Sequence, residues 1–247
     1  MTIKAKPYFR TQLGEYYLGD STRLVKEIPE SIIDAVITDP PFFEHGKHGV
    51  GTYRAYQDIL PDLRRVLKRD AWLVVYFPSN RLPVLFADTV RYFTYVDRFI
   101  VEYDLTNTKG AFGDKRTLEL CVFKKGSPRI VERVSTDVLP GLEDPAFMTL
   151  HPKSSMWKPT LVTALILKKI VGVSGGKVLL DPFAGYGSIV YVAERLGMRW
   201  IGIDIDKRAA DVARKIFVEG ISPRDAIHSS RKGDQYECVG LDKWLES

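Results

Sequence analysis

Short runs of β-branched and aromatic residues alternate with amphipathic helical stretches along most of this 247-residue chain, and that alternation restricts the fold more than any other feature. Residues 15–18, 33–38, 71–77, 97–103, 118–123, 177–180 and 199–203 read as strands. Helical spacing fills most of the gaps, at 22–28, 53–69, 80–93, 159–171, 187–196 and 207–217, with Pro61 expected to kink or divide the second of these. The run 33–38 is rich in β-branched residues and reads as a strand covered on both sides. These features predict an α/β fold, a doubly wound and mostly parallel seven-stranded sheet. Such sheets bind ligands at the C-terminal ends of their strands, which directs attention to the residues just after each run.

Composition narrows the classes further. No apolar run approaches the roughly 18 to 20 residues of a membrane span. Residues 1–10 contain no secretory h-region, and Cys121 and Cys238 are too few for a disulfide framework, so a cytoplasmic setting without a membrane is expected. The formal charge of +5 permits a polyanionic partner without requiring one. His45, His48, His151 and His228 lack metal-ligand spacing, and no metal is assigned.

Two strand ends carry chemistry. Val178-Leu179-Leu180 runs into Asp181-Pro182-Phe183-Ala184-Gly185-Tyr186-Gly187, a turn in which two glycines allow close approach of a ligand, and then into a helix. About 20 residues later the next strand ends at Gly202-Ile203-Asp204, where an acid can accept hydrogen bonds from a ribose. A lone Gly-x-Gly is more often a mere tight turn; strand, turn, helix, strand and acid in this order point to a nucleoside-containing cofactor. Val190 stands where a third dinucleotide-type glycine would be, and the Asp181 anion opposes a pyrophosphate but suits a cation. S-adenosylmethionine, with an ammonium and a sulfonium, fits those charges better than NAD.

The other strand end is Thr38-Asp39-Pro40-Pro41-Phe42. Two prolines remove two backbone donors and hold the chain extended, which leaves the Asp39 carboxylate and the Pro40 carbonyl as acceptors beside an aromatic ring. A base amino group offers two N–H donors on a planar ring, and Phe42 can stack on it only when the base lies outside the helix stack.

Together these segments resemble the amino-methyltransferases of DNA, S-adenosylmethionine enzymes that modify N6 of adenine or N4 of cytosine. Asp39-Pro40-Pro41-Phe42 is similar to the family's catalytic motif, and Asp181-Pro182-Phe183-Ala184-Gly185-Tyr186-Gly187 to its cofactor motif, within a likeness spanning residues 15–217. The catalytic motif precedes the cofactor motif, as in the permuted β group, so the resemblance implies the S-adenosylmethionine methyltransferase sheet in circularly permuted order. It implies catalytic roles for Asp39, Pro40, Pro41 and Phe42, and cofactor contacts from Asp181, Phe183, Ala184, Gly185, Gly187 and Asp204. Asp20, in Tyr17-Leu18-Gly19-Asp20, corresponds to the acid that reaches the cofactor adenine. Lys158 belongs to a segment similar to the family's H-P-x-x-K-P, although His151-Pro152 stands further from Lys158-Pro159 than the family spacing.

The implied function is transfer of methyl from S-adenosylmethionine to double-stranded DNA, with N6 of adenine favoured by the initial Asp and N4 of cytosine as the alternative. A methyltransferase of RNA or of a small amine, and a catalytically silent cofactor-binding subunit, are the other readings. The chain is expected to be a single domain over residues 1–247, with 127–150 a short insertion or reduced target-recognition segment and 218–247 a C-terminal extension. Recognition would then fall to that segment, to the loop 43–52 or to a second copy in a homodimer. Lys47, Arg54, Arg64, Arg65, Lys68, Arg69, Lys109, Lys115 and Arg116 are candidates for phosphate contacts.

Overall fold

The computed structural model describes residues 3–42, 52–102, 117–140 and 157–230. Its elements in chain order are β1 (Phe9–Arg10), β2 (Gly14–Leu18), α1 (Ser21–Glu27), β3 (Ile33–Thr38), α2 (Tyr53–Val66), β4 (Leu67–Phe77), α3 (Leu82–Thr89), β5 (Thr94–Glu102), β6 (Thr117–Lys125), β7 (Val138–Pro140), α4 (Thr160–Leu165), β8 (Val178–Asp181), α5 (Ser188–Arg195), β9 (Arg199–Asp204), α6 (Lys207–Phe217) and α7 (Pro223–Ser229). The strands form one sheet in the order β1-β2-β9-β8-β3-β4-β6-β5-β7.

The five central strands, β2, β9, β8, β3 and β4, are parallel. Strand β6 runs antiparallel to both β4 and β5. Pairing of Leu18 with Asp204 joins the early β2 to the late β9, and this is the permuted order in physical form. The α/β doubly wound sheet is therefore as expected, with nine strands among the described residues rather than seven. The additional β1 and β7 are two and three residues long, too short for an alternating pattern to be visible.

The apolar run of β3 is explained by its two covered faces. Ala35 and Ile37 pack with Trp72, Val74 and residues of α4 and α5, while Ile33 and Val36 pack with Leu73, Val75 and residues of α1 and α2. Burying side chains of this kind contributes roughly 1.5 to 3 kcal/mol each, which makes this double layer the main source of stability.

Several boundaries differ from the sequence expectation. Helix α2 runs unbroken through Pro61; that residue is exposed, so the carbonyl one turn earlier loses its helical donor on the solvent side. Residues 67–69, expected to be helical, begin β4, because the helix closes with the Leu67 amide donating to the Leu63 carbonyl. The stretch 80–93 is a 3-10 turn (Ser79–Arg81) followed by the shorter α3. Beyond α4 the chain widens into a π-helical turn, Ile166–Val171, which stops at Gly172 with φ 79°. The sequence also suggests a short strand at 236–239, which lies outside the described residues, and it gives no sign of α7.

Candidate active site

Strand β8 leads into α5 on one face of the sheet, and its neighbour β3 leads towards α2 on the other. The winding reverses between these two strands, and such a reversal opens a crevice at their C-terminal ends. Asp181 ends β8, and Asp39 follows β3 directly.

The turn after β8 is fixed from below by β9 and β2. Ala184 N–H donates to the Ile203 carbonyl at 2.8 Å, and Gly187 N–H to the Ala184 carbonyl at 2.8 Å. Gly185 N–H donates to Asp204 Oδ2 at 2.7 Å, and the buried Tyr16 hydroxyl donates to the Gly185 carbonyl at 2.6 Å. Gly185 and Gly187 have φ of 53° and 86°, the left-handed region where a side chain is strained. A Cβ on Gly187 would also stand 2.9 Å from Phe217 Cε2. The Ser21 hydroxyl donates to the Pro182 carbonyl and ties α1 to the same turn.

Asp181 is buried, and its Oδ1 accepts from Thr38 Oγ1 at 2.8 Å and from Phe183 N–H at 3.1 Å. Burial pushes its carboxyl up to about 8, opposed by those two hydrogen bonds and assisted by the charges of Asp204 and Asp39. The Asp204 carboxyl is also raised, chiefly by burial, with amide bonds from Asp206 and Gly185 opposing.

Two acids that the sequence assigns to the cofactor are engaged first by the protein. Asp204 receives Gly185 N–H on Oδ2 and Asp206 N–H on Oδ1 at 2.8 Å, so it shapes the turn. Asp20 caps α1, its Oδ1 accepting from Thr22 N–H and Thr22 Oγ1, both at 2.8 Å. Each carboxylate oxygen has a further lone pair for a ligand, so framework and ligand roles are compatible. Phe183 and Ala184 lie in the turn, partly buried and buried respectively.

At the other strand end, Pro40 is buried, Pro41 and Phe42 are half-buried, and the Phe42 ring meets Phe77 edge-on with centroids 6.3 Å apart. Asp39 divides its oxygens. Oδ2 pairs with Lys158 Nζ at 2.6 Å, whereas Oδ1 is buried with no hydrogen-bond partner among the described residues. Burial raises the Asp39 carboxyl above the ordinary carboxylate range and Lys158 pulls it back. Lys158, assigned from resemblance to the cofactor, is thus placed on the catalytic-motif acid. Its own N–H donates to Ser188 Oγ at 3.0 Å, at the start of α5.

Sequence reasoning missed Thr38, Tyr16 and Ser188 as supports. Thr38 carried a signal, being a hydroxyl on a strand buried on both faces; the other two had none. Among the basic candidates, Arg65 donates to the Val25, Lys26 and Ile28 carbonyls, Lys68 pairs with Asp34, and Arg54 with Asp58. Those three serve the framework, and His151, Lys47, Lys109, Lys115, Arg116 and the loop 43–51 lie outside the described residues.

A family model described as DNA methylase matches residues 158–215. The chain is 26% identical over 255 residues to the type II methyltransferase M.BamHI of Bacillus amyloliquefaciens, across 81% of this chain and 56% of that protein, so it spans little more than half of that relative's length. It is 24% identical over 250 residues to the DNA adenine methyltransferase YhdJ of Escherichia coli K12, across 83% of this chain and 85% of that one. Among solved structures, it matches the cytosine-N4-specific PvuII DNA methyltransferase with a TM-score of 0.67 at 18% identity, covering 93% and 95% of the two chains. It matches the M1.HpyAVI–SAM complex with a TM-score of 0.62 at 15% identity, covering 82% and 98%. At such identities the structural likeness is one of fold. The family match lies on the cofactor-turn segment, and relatives named as DNA methyltransferases align along about four-fifths of the chain, so it is similar to the DNA amino-methyltransferases.

Proposed function

We propose that this protein transfers the methyl group of S-adenosylmethionine to the exocyclic amino group of a base flipped out of double-stranded DNA, N6 of adenine foremost and N4 of cytosine as the alternative. One observation carries the reading: Asp39 presents a buried acceptor, Oδ1, with no donor among the described residues, at the crevice beside the glycine turn. A buried unpaired acceptor costs about 1 to 3 kcal/mol, and an incoming amino group removes that cost. Pro40 contributes a carbonyl and has no N–H that could satisfy Asp39 in its place.

The residues around the turn fit the cofactor. Asp181 offers an acid to a cationic group, Gly185 and Gly187 keep Cβ atoms out of its path, and Asp20 and Asp204 retain acceptor capacity. When bound, the cofactor supplies a methyl group on a sulfonium; the amino nitrogen forms the new N–C bond while the C–S electron pair stays on sulfur. Asp39 and the Pro40 carbonyl accept the two amino hydrogens and stabilise the positive charge that grows on nitrogen. Phe42 stacks on the base and holds it in line, and the methylated nitrogen sheds its extra proton, to Asp39 or to water, only after the methyl group has moved. In this reading residues 127–150 are a reduced target-recognition segment of a single domain and 218–247 its C-terminal extension.

Expression in a methylation-free host, followed by base-resolved mapping of modified adenine and cytosine, tests the reading and separates the two bases. Asp39→Ala should abolish incorporation while leaving S-adenosylhomocysteine affinity within about twofold, since the residue touches the base and not the cofactor. Equal loss of both would assign Asp39 a folding role, and methylation of RNA alone would overturn the DNA substrate.

A further inference from the structure

Lys158 is 9% exposed and Asp39 20%, so the 2.6 Å contact between them is a largely desolvated ion pair. A lysine side chain has a long flexible stem, and holding it here requires an anchor. That anchor is the Lys158 main-chain N–H, bonded to the buried Ser188 hydroxyl in the first residue of α5. Ser188 follows Gly187 directly, so one residue connects the turn after β8 with the acid after β3. Of the two Asp39 oxygens, Oδ2 is the one that meets the Lys158 ammonium, and Oδ1 is the open acceptor.

We propose that Lys158 is a positioning residue for Asp39, holding Oδ2 so that Oδ1 faces the target amino group, and that its bond to Ser188 couples this arrangement to the cofactor turn. The inference rests on the methyl-transfer reading for the meaning of Oδ1. It departs from the assignment of Lys158 to the cofactor. Two titratable groups face Asp39 among the described residues, Lys158 from the segment before α4 and Asp181 from β8. Burial favours a protonated Asp39, and Lys158 opposes it. Without the ammonium, Asp39 takes up its proton at higher pH, and Oδ1 or Oδ2 becomes a donor that repels the amino hydrogens.

The test uses the full chain with Lys158→Met, which keeps much of the stem, and Lys158→Arg, which keeps the charge. Single-turnover methyl transfer is followed against pH, S-adenosylhomocysteine affinity is measured by calorimetry, and the Asp39 carboxyl carbon is titrated by NMR. For Lys158→Met the acid limb of the rate profile should move upward by at least one pH unit, giving a tenfold or greater loss on that limb, with cofactor affinity within twofold. Lys158→Arg should return the limb to within half a unit of the wild-type position. A tenfold loss of cofactor affinity with an unmoved limb and an unmoved Asp39 titration would overturn the inference. The NMR titration needs no activity, so a wild-type protein that methylates nothing refutes the functional reading while the Lys158–Asp39 coupling is still decided. Should Lys158→Met not fold, reductive methylation of Lys158 decides: labelling at least fivefold faster in Asp39→Asn supports the pairing, and protection by cofactor with no Asp39→Asn effect overturns it.

Discussion

Asp181→Asn should remove one pH-dependent contribution to stability, with a magnitude set by the structure. Both hydrogen bonds to Asp181 fall on the same oxygen, Oδ1, from Thr38 Oγ1 and Phe183 N–H. An asparagine placed with its carbonyl in that position keeps both bonds and loses only the ability to ionise. In the unfolded chain the acid ionises near 3.8, and in the folded protein near 8. Between those values only the unfolded state has given up its proton, so wild-type stability falls as pH rises and levels off above the folded value. Each unit is ~1.4 kcal/mol, so from pH 5 to 7 the wild type should lose about 3 kcal/mol that Asp181→Asn does not lose. Urea unfolding of both proteins at pH 5, 6, 7, 8 and 9 measures the difference directly. The stability advantage of Asp181→Asn should grow from pH 5 to 8 and then remain constant. A difference that does not change with pH across that range would mean that Asp181 is ionised in the folded protein, and the burial argument would fail.

The same proton has a functional signature: a cationic ligand beside Asp181 favours its ionised form, so S-adenosylmethionine binding at pH 7 should release close to one proton, read as a dependence of binding enthalpy on buffer in titration calorimetry; equal enthalpies in phosphate and Tris would refute it. Gly187→Ala combines a φ of 86° with a Cβ 2.9 Å from the Phe217 ring, so it should cost about 1 to 2 kcal/mol or more in urea unfolding and leave the turn misshapen. Tyr16→Phe removes the donor to the buried Gly185 carbonyl, a loss of about 1 to 3 kcal/mol, and should weaken S-adenosylhomocysteine binding without touching the ligand. Affinity for duplex DNA should fall steeply between 50 and 200 mM salt, as phosphate contacts require; a flat response would remove the nucleic-acid part of the reading.

The double layer and its parallel strands were legible because the β-branched run of β3 and the Val-Leu-Leu run of β8 are each short and each meet an Asp-Pro pair that ends the strand. What stayed hidden has identifiable causes. Lys158 could be placed near the site by resemblance, but whether its ammonium meets Asp39 or a ligand depends on Ser188, which is 30 residues away in sequence. Arg65 and Lys68 looked like phosphate contacts because a sequence shows charge and not its partner; the α1 carbonyls and Asp34 that engage them are 34 to 40 residues distant. Pro61 misled in the opposite direction, since its effect depends on which side of α2 faces solvent.

The arrangement of acids carries a further argument about how a polyanion meets this protein. Four neighbouring parallel strands, β2, β9, β8 and β3, end at or just before Asp20, Asp204, Asp181 and Asp39. Adjacent strands lie about 4.8 Å apart, so four full charges in such a row would repel strongly. The protein reduces the row by different means: a helix cap for Asp20, backbone amides for Asp204, a raised carboxyl for Asp181 and an ammonium for Asp39. What remains attracts a cation into the crevice and keeps phosphates out of it. A neutral base fits through that rim only if its backbone stays outside, where the chain's basic excess can meet it. Under the proposed reaction on DNA, an acidic crevice favours extrusion of a single base over entry of the duplex, and DNA affinity should then reside in basic residues beyond the crevice and not at the strand ends.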